Sequence, residues 1–167
     1  MGMIGNYLRV SQDVLEEYQT DSSKLEKRVY SDGNRNDKDL IDVNKNWAGL
    51  FYLLTGQTLE TEEKAVAPLA WILSPPHEID PEQDMGYGPA KFTDAEQTNE
   101  VSLALQSLAV DELKLRYNGK EMQELGIYPE IWDEPECLED LIHCFQTLQD
   151  FYHKAAMDGQ SVIFFVD

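Results

Sequence analysis

Six residues near the end of the chain, Ser161–Val166 (SVIFFV), place the tightest limit on the fold. The run is short, apolar and rich in β-branched and aromatic side chains, which predicts a strand. At an open sheet edge it would template aggregation, so its expected place is the middle of a small sheet. Residues 3–10, with Tyr7, Leu8 and Val10, form the apolar segment expected to lie beside it. Residues 88–93 are a third candidate strand. Helical patterning fills most of the rest. The fold class expected is therefore α+β, a helix-rich single domain over residues 1–167 packed on a small sheet that contains the N-terminal and C-terminal strands.

The helices are read from periodicity and from their ends. Residues 135–158 carry Leu138, Leu141, Ile142, Phe145, Leu148, Tyr152, Ala155 and Ala156 as a continuous apolar stripe, and Gly159 closes it. In residues 42–56, Trp47, Leu50, Phe51 and Leu54 fall at i, i+3, i+4 and i+7, and Gly56 stands where a left-handed cap is expected. Ser11 is expected to cap a helix bearing Val14, Leu15 and Tyr18, followed by a short one with Leu25 and Val29. Residues 68–73 read as a helical turn behind Pro68, stopped by Pro75 and Pro76. Thr93 with Glu96 resembles a capping box opening a helix with Val101, Leu105 and Leu108 inside. Further helices are expected over residues 111–117 and 120–126. The polar run 31–39 reads as a mobile loop.

Charge removes several function classes. The 167 residues carry 13 Lys and Arg against 32 Asp and Glu, a formal net charge of −19. A nucleic-acid binder needs cations to neutralise phosphates, and none are concentrated here beyond Lys24, Lys27 and Arg28. The same excess opposes docking on anionic lipid. The longest apolar runs fall far short of the roughly 20 residues a membrane span needs. No basic segment followed by an apolar one opens the sequence, and Asn6 spoils a myristoylation reading of Gly2, so a cytosolic protein is expected. Cys137 and Cys144, seven apart on one helix, would lie roughly 10 Å from each other, too far for a disulfide.

Familiar catalytic and cofactor patterns do not occur. There is no G-x-G-x-x-G, no G-x-x-x-x-G-K-[ST] and no G-x-S-x-G. His143 and His153 stand ten residues apart, roughly 1,000° of helical rotation, and do not share a side. His77, Glu78, Asp80, Glu82 and Asp84 crowd one loop, but without the spacing of a calcium loop. Asp32, Asn34 and Asn36 begin such a loop, which then fails at Asp37 and Val43. Neither a metal nor a cofactor is expected.

Aromatic residues beside turn formers are more informative. They occur in Gly86-Tyr87-Gly88-Pro89 and in Tyr128-Pro129-Glu130-Ile131-Trp132-Asp133-Glu134. Such segments fix the backbone while presenting large amphipathic rings, a composition favoured at binding sites; equally, the rings can serve to pack loops onto the domain. The segments MGMIGNY, DVNKNWAGLFYLLTG, MGYGPAKFT and GIYPEIWDE, in that order and followed by the long helix and terminal strand, resemble the YfbM-like family of small bacterial proteins. The resemblance spans nearly the whole chain. It implies a compact α+β cytosolic domain of unknown function and brings no catalytic or cofactor residues.

Two functions from different classes remain. The favoured one is a binding or interaction module, regulatory or immunity-like, whose acidic surface meets a basic protein partner through steered, salt-dependent association. The alternative is a small-molecule enzyme with a cleft near Tyr87, Lys91, Tyr128, Trp132 and Asp133. There Lys91 would hold an anionic substrate group, Asp133 would act as base and Arg9 would be a second anion contact. Tyr87, Lys91, Tyr128, Trp132 and Asp133 are the candidate ligand or partner residues in either case. The sequence leaves the oligomeric state open.

Overall fold

The computed structural model describes residues 2–31 and 36–167. Among the described residues, five antiparallel strands form one sheet in the order β2-β1-β5-β4-β3, with β1 Gly5–Val10, β2 Leu40–Asp42, β3 His77–Glu78, β4 Lys91–Thr93 and β5 Ser161–Val166. The apolar terminal run is thus the central strand, paired along its whole length with β1, from Gly5 opposite Val166 to Val10 opposite Ser161. Val162, Ile163, Phe164 and Phe165 are all buried. Each contributes roughly 1.5 to 3 kcal/mol relative to exposure, which is why this run must sit at the centre.

Because side chains alternate along a strand, β5 feeds two cores. Val162 and Phe164 join Tyr7 in the larger one, and Ile163 and Phe165 join Leu8 and Val10 in the smaller. Helices α1 Gln12–Thr20 and α2 Ser23–Tyr30 cover the smaller core with Leu15, Tyr18, Leu25 and Val29. The larger core takes α3 Trp47–Thr55, α4 Ala95–Gln106, α5 Val110–Arg116, α6 Gly119–Glu124 and α7 Cys137–Met157. Tyr7 locks sheet to helices. Its ring packs edge-on against Phe151 and Tyr152 of α7, and its hydroxyl donates to the Ile72 carbonyl at 3.0 Å. Cys137 and Cys144 are both buried and free. Among the described residues, no helix is long and apolar enough to cross a membrane.

Most element ends follow from local chemistry, with several shifts from expectation, among them β4, which starts at Lys91 and not at residue 88 because Gly88 belongs to the preceding turn. The helix expected from residue 42 begins at Trp47, because Asp42 is spent in β2 opposite Asn6 and Asn44 adopts a left-handed φ of 51°. A short 3-10 turn, Asn44–Asn46, bridges the two. The capping box of α4 lies one residue later than expected. Asp94 accepts from the Gln97 N–H at 2.8 Å and Gln97 accepts from the Asp94 N–H at 3.0 Å. Thr93 cannot serve, since it ends β4 and its hydroxyl is buried against that of Thr98 at 2.9 Å. Leu108 lies beyond the end of α4 and is half-buried. Strands β2 and β3 are edge strands of three and two residues, too short to register as alternation. Gly56, Gly126 and Gly159 hold positive φ at the helix ends where glycine was expected. In the run 31–39, residues 32–35, and with them Asp32 and Asn34 of the calcium-like pattern, lie outside the described residues. Asp37 and Asp39 pair with Arg28 at 2.8 Å and Arg9 at 2.9 Å.

Candidate functional site

The Asp84-Met85-Gly86-Tyr87-Gly88 turn presents Tyr87 by fixing every neighbour. Asp84 Oδ1 accepts from the Gly86 N–H at 2.9 Å and the Gly88 N–H at 3.0 Å, and the Met85 N–H donates to the Gly88 carbonyl at 2.9 Å. Bonding to those two amides, that of Gly88 foremost, holds the Asp84 carboxyl below its usual range. Gly86 and Gly88 have φ of 122° and 103°, conformations that only glycine adopts without strain. A Cβ at Gly86 would also lie 2.9 Å from the Asp167 Cα. The Tyr87 N–H then donates to the Val166 carbonyl at 3.2 Å, anchoring the turn to the end of β5. The Tyr87 side chain stays 58% exposed on this fixed backbone, so its presentation costs little ordering entropy.

Beside Tyr87 opens a cleft of about 170 Å³ at the end of the sheet, on the face of the larger core. Phe164 and Trp47 supply its apolar surface, and Lys91 stands on β4 in register with Phe164. The opposite wall comes from the irregular chain between α3 and β3, where the Ser74 hydroxyl donates to Glu62 Oε2 at 3.0 Å. Trp47 is fixed by its Nε1–H donating to the Met3 carbonyl at 3.0 Å. Tyr128 stands behind this wall, its ring 5.7 Å from that of Trp47 and its hydroxyl accepting from the Met3 N–H at 2.8 Å.

Trp132 and Asp133 belong elsewhere. Trp132 is 1% exposed, with its indole over Gly49 of α3. Its Nε1–H donates to the Ile127 carbonyl at 2.6 Å, its N–H donates to Gln123 Oε1 at 3.2 Å, and its carbonyl accepts the Tyr117 hydroxyl. It is a buried anchor that pins the connection between α6 and α7. The same connection leaves Leu125 and Ile131 close to half exposed and Asp133 exposed. Glu130, Glu134, Glu136, Glu139 and Asp140, on the same connection and at the start of α7, are exposed as well. Burial pushes the Cys137 thiol up, and Asp140, Glu134, Glu136 and Asp133 push it further. Part of this acidic crowding complements the positive end of α7. The five candidate residues therefore divide: Tyr87 and Lys91 line the cleft, Tyr128 backs its Trp47 wall, and Trp132 and Asp133 form the acidic connection. Sequence patterning placed Trp47 in the core and passed over Glu62 and Ser74, which lie in a polar stretch without period.

The acidic loop has local duties. Asp80 accepts from the Ser22 hydroxyl at 2.7 Å and the Glu82 N–H at 3.0 Å, and His77 of β3 stacks on Phe92 with ring centres 5.0 Å apart. Among the described residues, no three His, Cys, Asp or Glu side chains gather as a metal site. Arg9, Lys38 and Lys154 line a second hollow with Asp150, but Arg9 is already held by Asp39 at 2.9 Å and Asp158 at 3.5 Å.

Comparison with known proteins agrees with the sequence resemblance. Residues 1–165 match a family described as a domain of unknown function, DUF1877. The crystal structure of YfbM from Escherichia coli, a protein of unknown function, superposes with a TM-score of 0.73 at 18% identity, covering 98% of this chain and 99% of that one. At that identity the likeness is one of fold. No curated protein matches the sequence.

Proposed function

Since the chain belongs to the DUF1877 family, whose fold is defined and whose function is not, we propose that it is an interaction module for a basic protein partner, docked on the acidic connection between α6 and α7. One observation carries the reading: Leu125 and Ile131 are exposed on the same stretch of chain, residues 125–140, as the exposed Glu130, Asp133, Glu134, Glu136, Glu139 and Asp140, and Trp132 pins that stretch to the core. Exposed apolar side chains on a rigid frame supply the desolvated centre of an interface. The carboxylates around them supply the steering field, and the net charge of −19 extends that field over the whole surface. Trp132 is then a positioning residue, and Asp133 is part of the charged rim.

The test is co-purification from native lysate at low and high salt with two charge-reversed proteins. One carries Glu130→Lys, Glu134→Lys and Glu136→Lys; the control carries Glu60→Lys, Glu63→Lys and Glu96→Lys, which are far along the chain from this connection. A basic partner retained by the control, lost by the first variant and released by salt supports the reading. Equal retention by both variants refutes it.

A further inference from the structure

The cleft beside Tyr87 combines features that the partner-docking reading leaves unused. Lys91 and Glu62 are both half-buried on its walls, which Trp47, Tyr87 and Phe164 also line. Among the described residues, Lys91 Nζ makes no ion pair or hydrogen bond, and Glu62 is engaged through Oε2 by the Ser74 hydroxyl and through no cation. Glu78 stands across the strand register from Lys91, yet the two form no ion pair. Arg9, Lys24, Arg28 and Lys120 are paired with carboxylates, whereas Lys91, like several exposed lysines, is not, and Lys91 stands half-buried beside apolar surface. Opposite charges kept apart against apolar surface forgo their mutual attraction while still bearing partial desolvation. A ligand that brings both complementary charges would recover that loss.

The geometry points to this cleft as a binding site for a free α-amino acid with an aromatic side chain, its carboxylate on Lys91, its ammonium on Glu62 and its ring among Trp47, Tyr87 and Phe164. The volume of about 170 Å³ suits one ring, since a cavity of roughly 150 Å³ lined by apolar side chains holds benzene. Aromatic walls favour offset or edge contacts with such a ring, and the exposed Tyr87 ring also favours a nearby ammonium. The site is preorganised: Trp47 is fixed through Met3, the Tyr87 backbone through Val166, and Glu62 through Ser74. Both charges on one small molecule are required, which distinguishes a free amino acid from the end of a peptide. The inference is independent of the partner-docking reading, because none of its residues lies on the α6–α7 connection.

The experiment is a titration followed by amide NMR shifts and calorimetry, with L-phenylalanine, N-acetyl-L-phenylalanine, phenethylamine and glycine as probes. L-phenylalanine is expected to give saturable shifts centred on Trp47, Tyr87, Lys91 and Phe164. N-acetyl-L-phenylalanine, phenethylamine and glycine, each lacking one feature, are expected to bind at least about tenfold more weakly. Lys91→Met is expected to weaken L-phenylalanine while leaving phenethylamine unchanged, and Glu62→Gln to weaken it while leaving N-acetyl-L-phenylalanine unchanged. The probe series on the unaltered protein decides the matter even if a variant misfolds. Absence of saturable shifts at about 10 mM L-phenylalanine would overturn the inference, as would N-acetyl-L-phenylalanine binding equally well.

Discussion

Gly49 sits in the middle of α3 beneath the Trp132 indole, where even a methyl group crowds the ring. A Cβ built there meets the distal ring carbons of Trp132, with Cζ2 at 2.6 Å and Cζ3 at 2.9 Å. The ring has no easy retreat, being 1% exposed and tethered through Nε1 to Ile127. Gly49→Ala therefore sets two effects against each other. Overpacking a filled core costs about 1 to 3 kcal/mol. Replacing glycine by alanine inside a helix returns about 1 kcal/mol. The net in the native background is neutral to about 2 kcal/mol destabilising, a fall of roughly 2 to 4 °C in Tm per kcal/mol for a chain of this size. Trp132→Phe removes the distal ring carbons and with them the clash, at its own cost. In that background the same Gly49→Ala change should stabilise by up to about 1 kcal/mol. The coupling between the two sites is then about 1 to 3 kcal/mol, well above the roughly 0.3 to 0.5 kcal/mol scatter of independent mutations. Urea unfolding of the four proteins measures it. Additive effects within that scatter would refute the claim that the indole and α3 are in contact at the limit of packing.

Deleting residues 161–167 should leave an insoluble or molten chain, since it strips the central strand from both cores at roughly 1.5 to 3 kcal/mol per buried side chain; a cooperative thermal transition in the truncated protein would contradict this. Trp132→Ala should cost about 3 to 5 kcal/mol and Tyr87→Ala less than about 0.5 kcal/mol, a contrast that paired urea titrations reveal. Asp84 has its folded pKa depressed below the ordinary 3.8 by the Gly88 and Gly86 amides, so the unfolded chain binds its proton more tightly. Its contribution is complete above that ordinary value and disappears as pH falls through the lower folded one. Carboxyl titration by NMR should place the Asp84 midpoint below 3.8, and a midpoint above it would mean the turn does not hold the carboxylate as described.

How far the sequence speaks depends on the range of the interactions that fix each feature. The terminal strand, α7 with its stripe, and the glycine ends at 56, 126 and 159 follow from patterns within a few residues. Strands β2 and β3 do not, because three and two residues carry no period and owe their conformation to β1 and β4. The start of α3 was misplaced for the same reason: Asp42 reads as a helix start until β1 claims it for the sheet. Tyr87 and Trp132 show the limit most plainly, since both are aromatic residues in turn-rich segments and their environments are opposite. Two positive-φ glycines and the Val166 carbonyl turn the Tyr87 backbone outward. A glycine 83 residues earlier in the sequence makes the socket that takes Trp132 in.

The candidate cleft is a sharper case of the same effect. Lys91 is legible as a lone cation beside an aromatic turn, but its counterpart Glu62 lies in the 3-10 stretch Leu59–Lys64, where three glutamates within four residues look like a solvated face. What singles out Glu62 is its hydrogen bond to Ser74, twelve residues on, which holds one carboxylate of that stretch at the wall of the cleft. A sequence pattern can report charge and spacing along the chain. It cannot report which two unpaired charges line the same cleft, and that property is what would give the cleft its preference for a ligand carrying both signs.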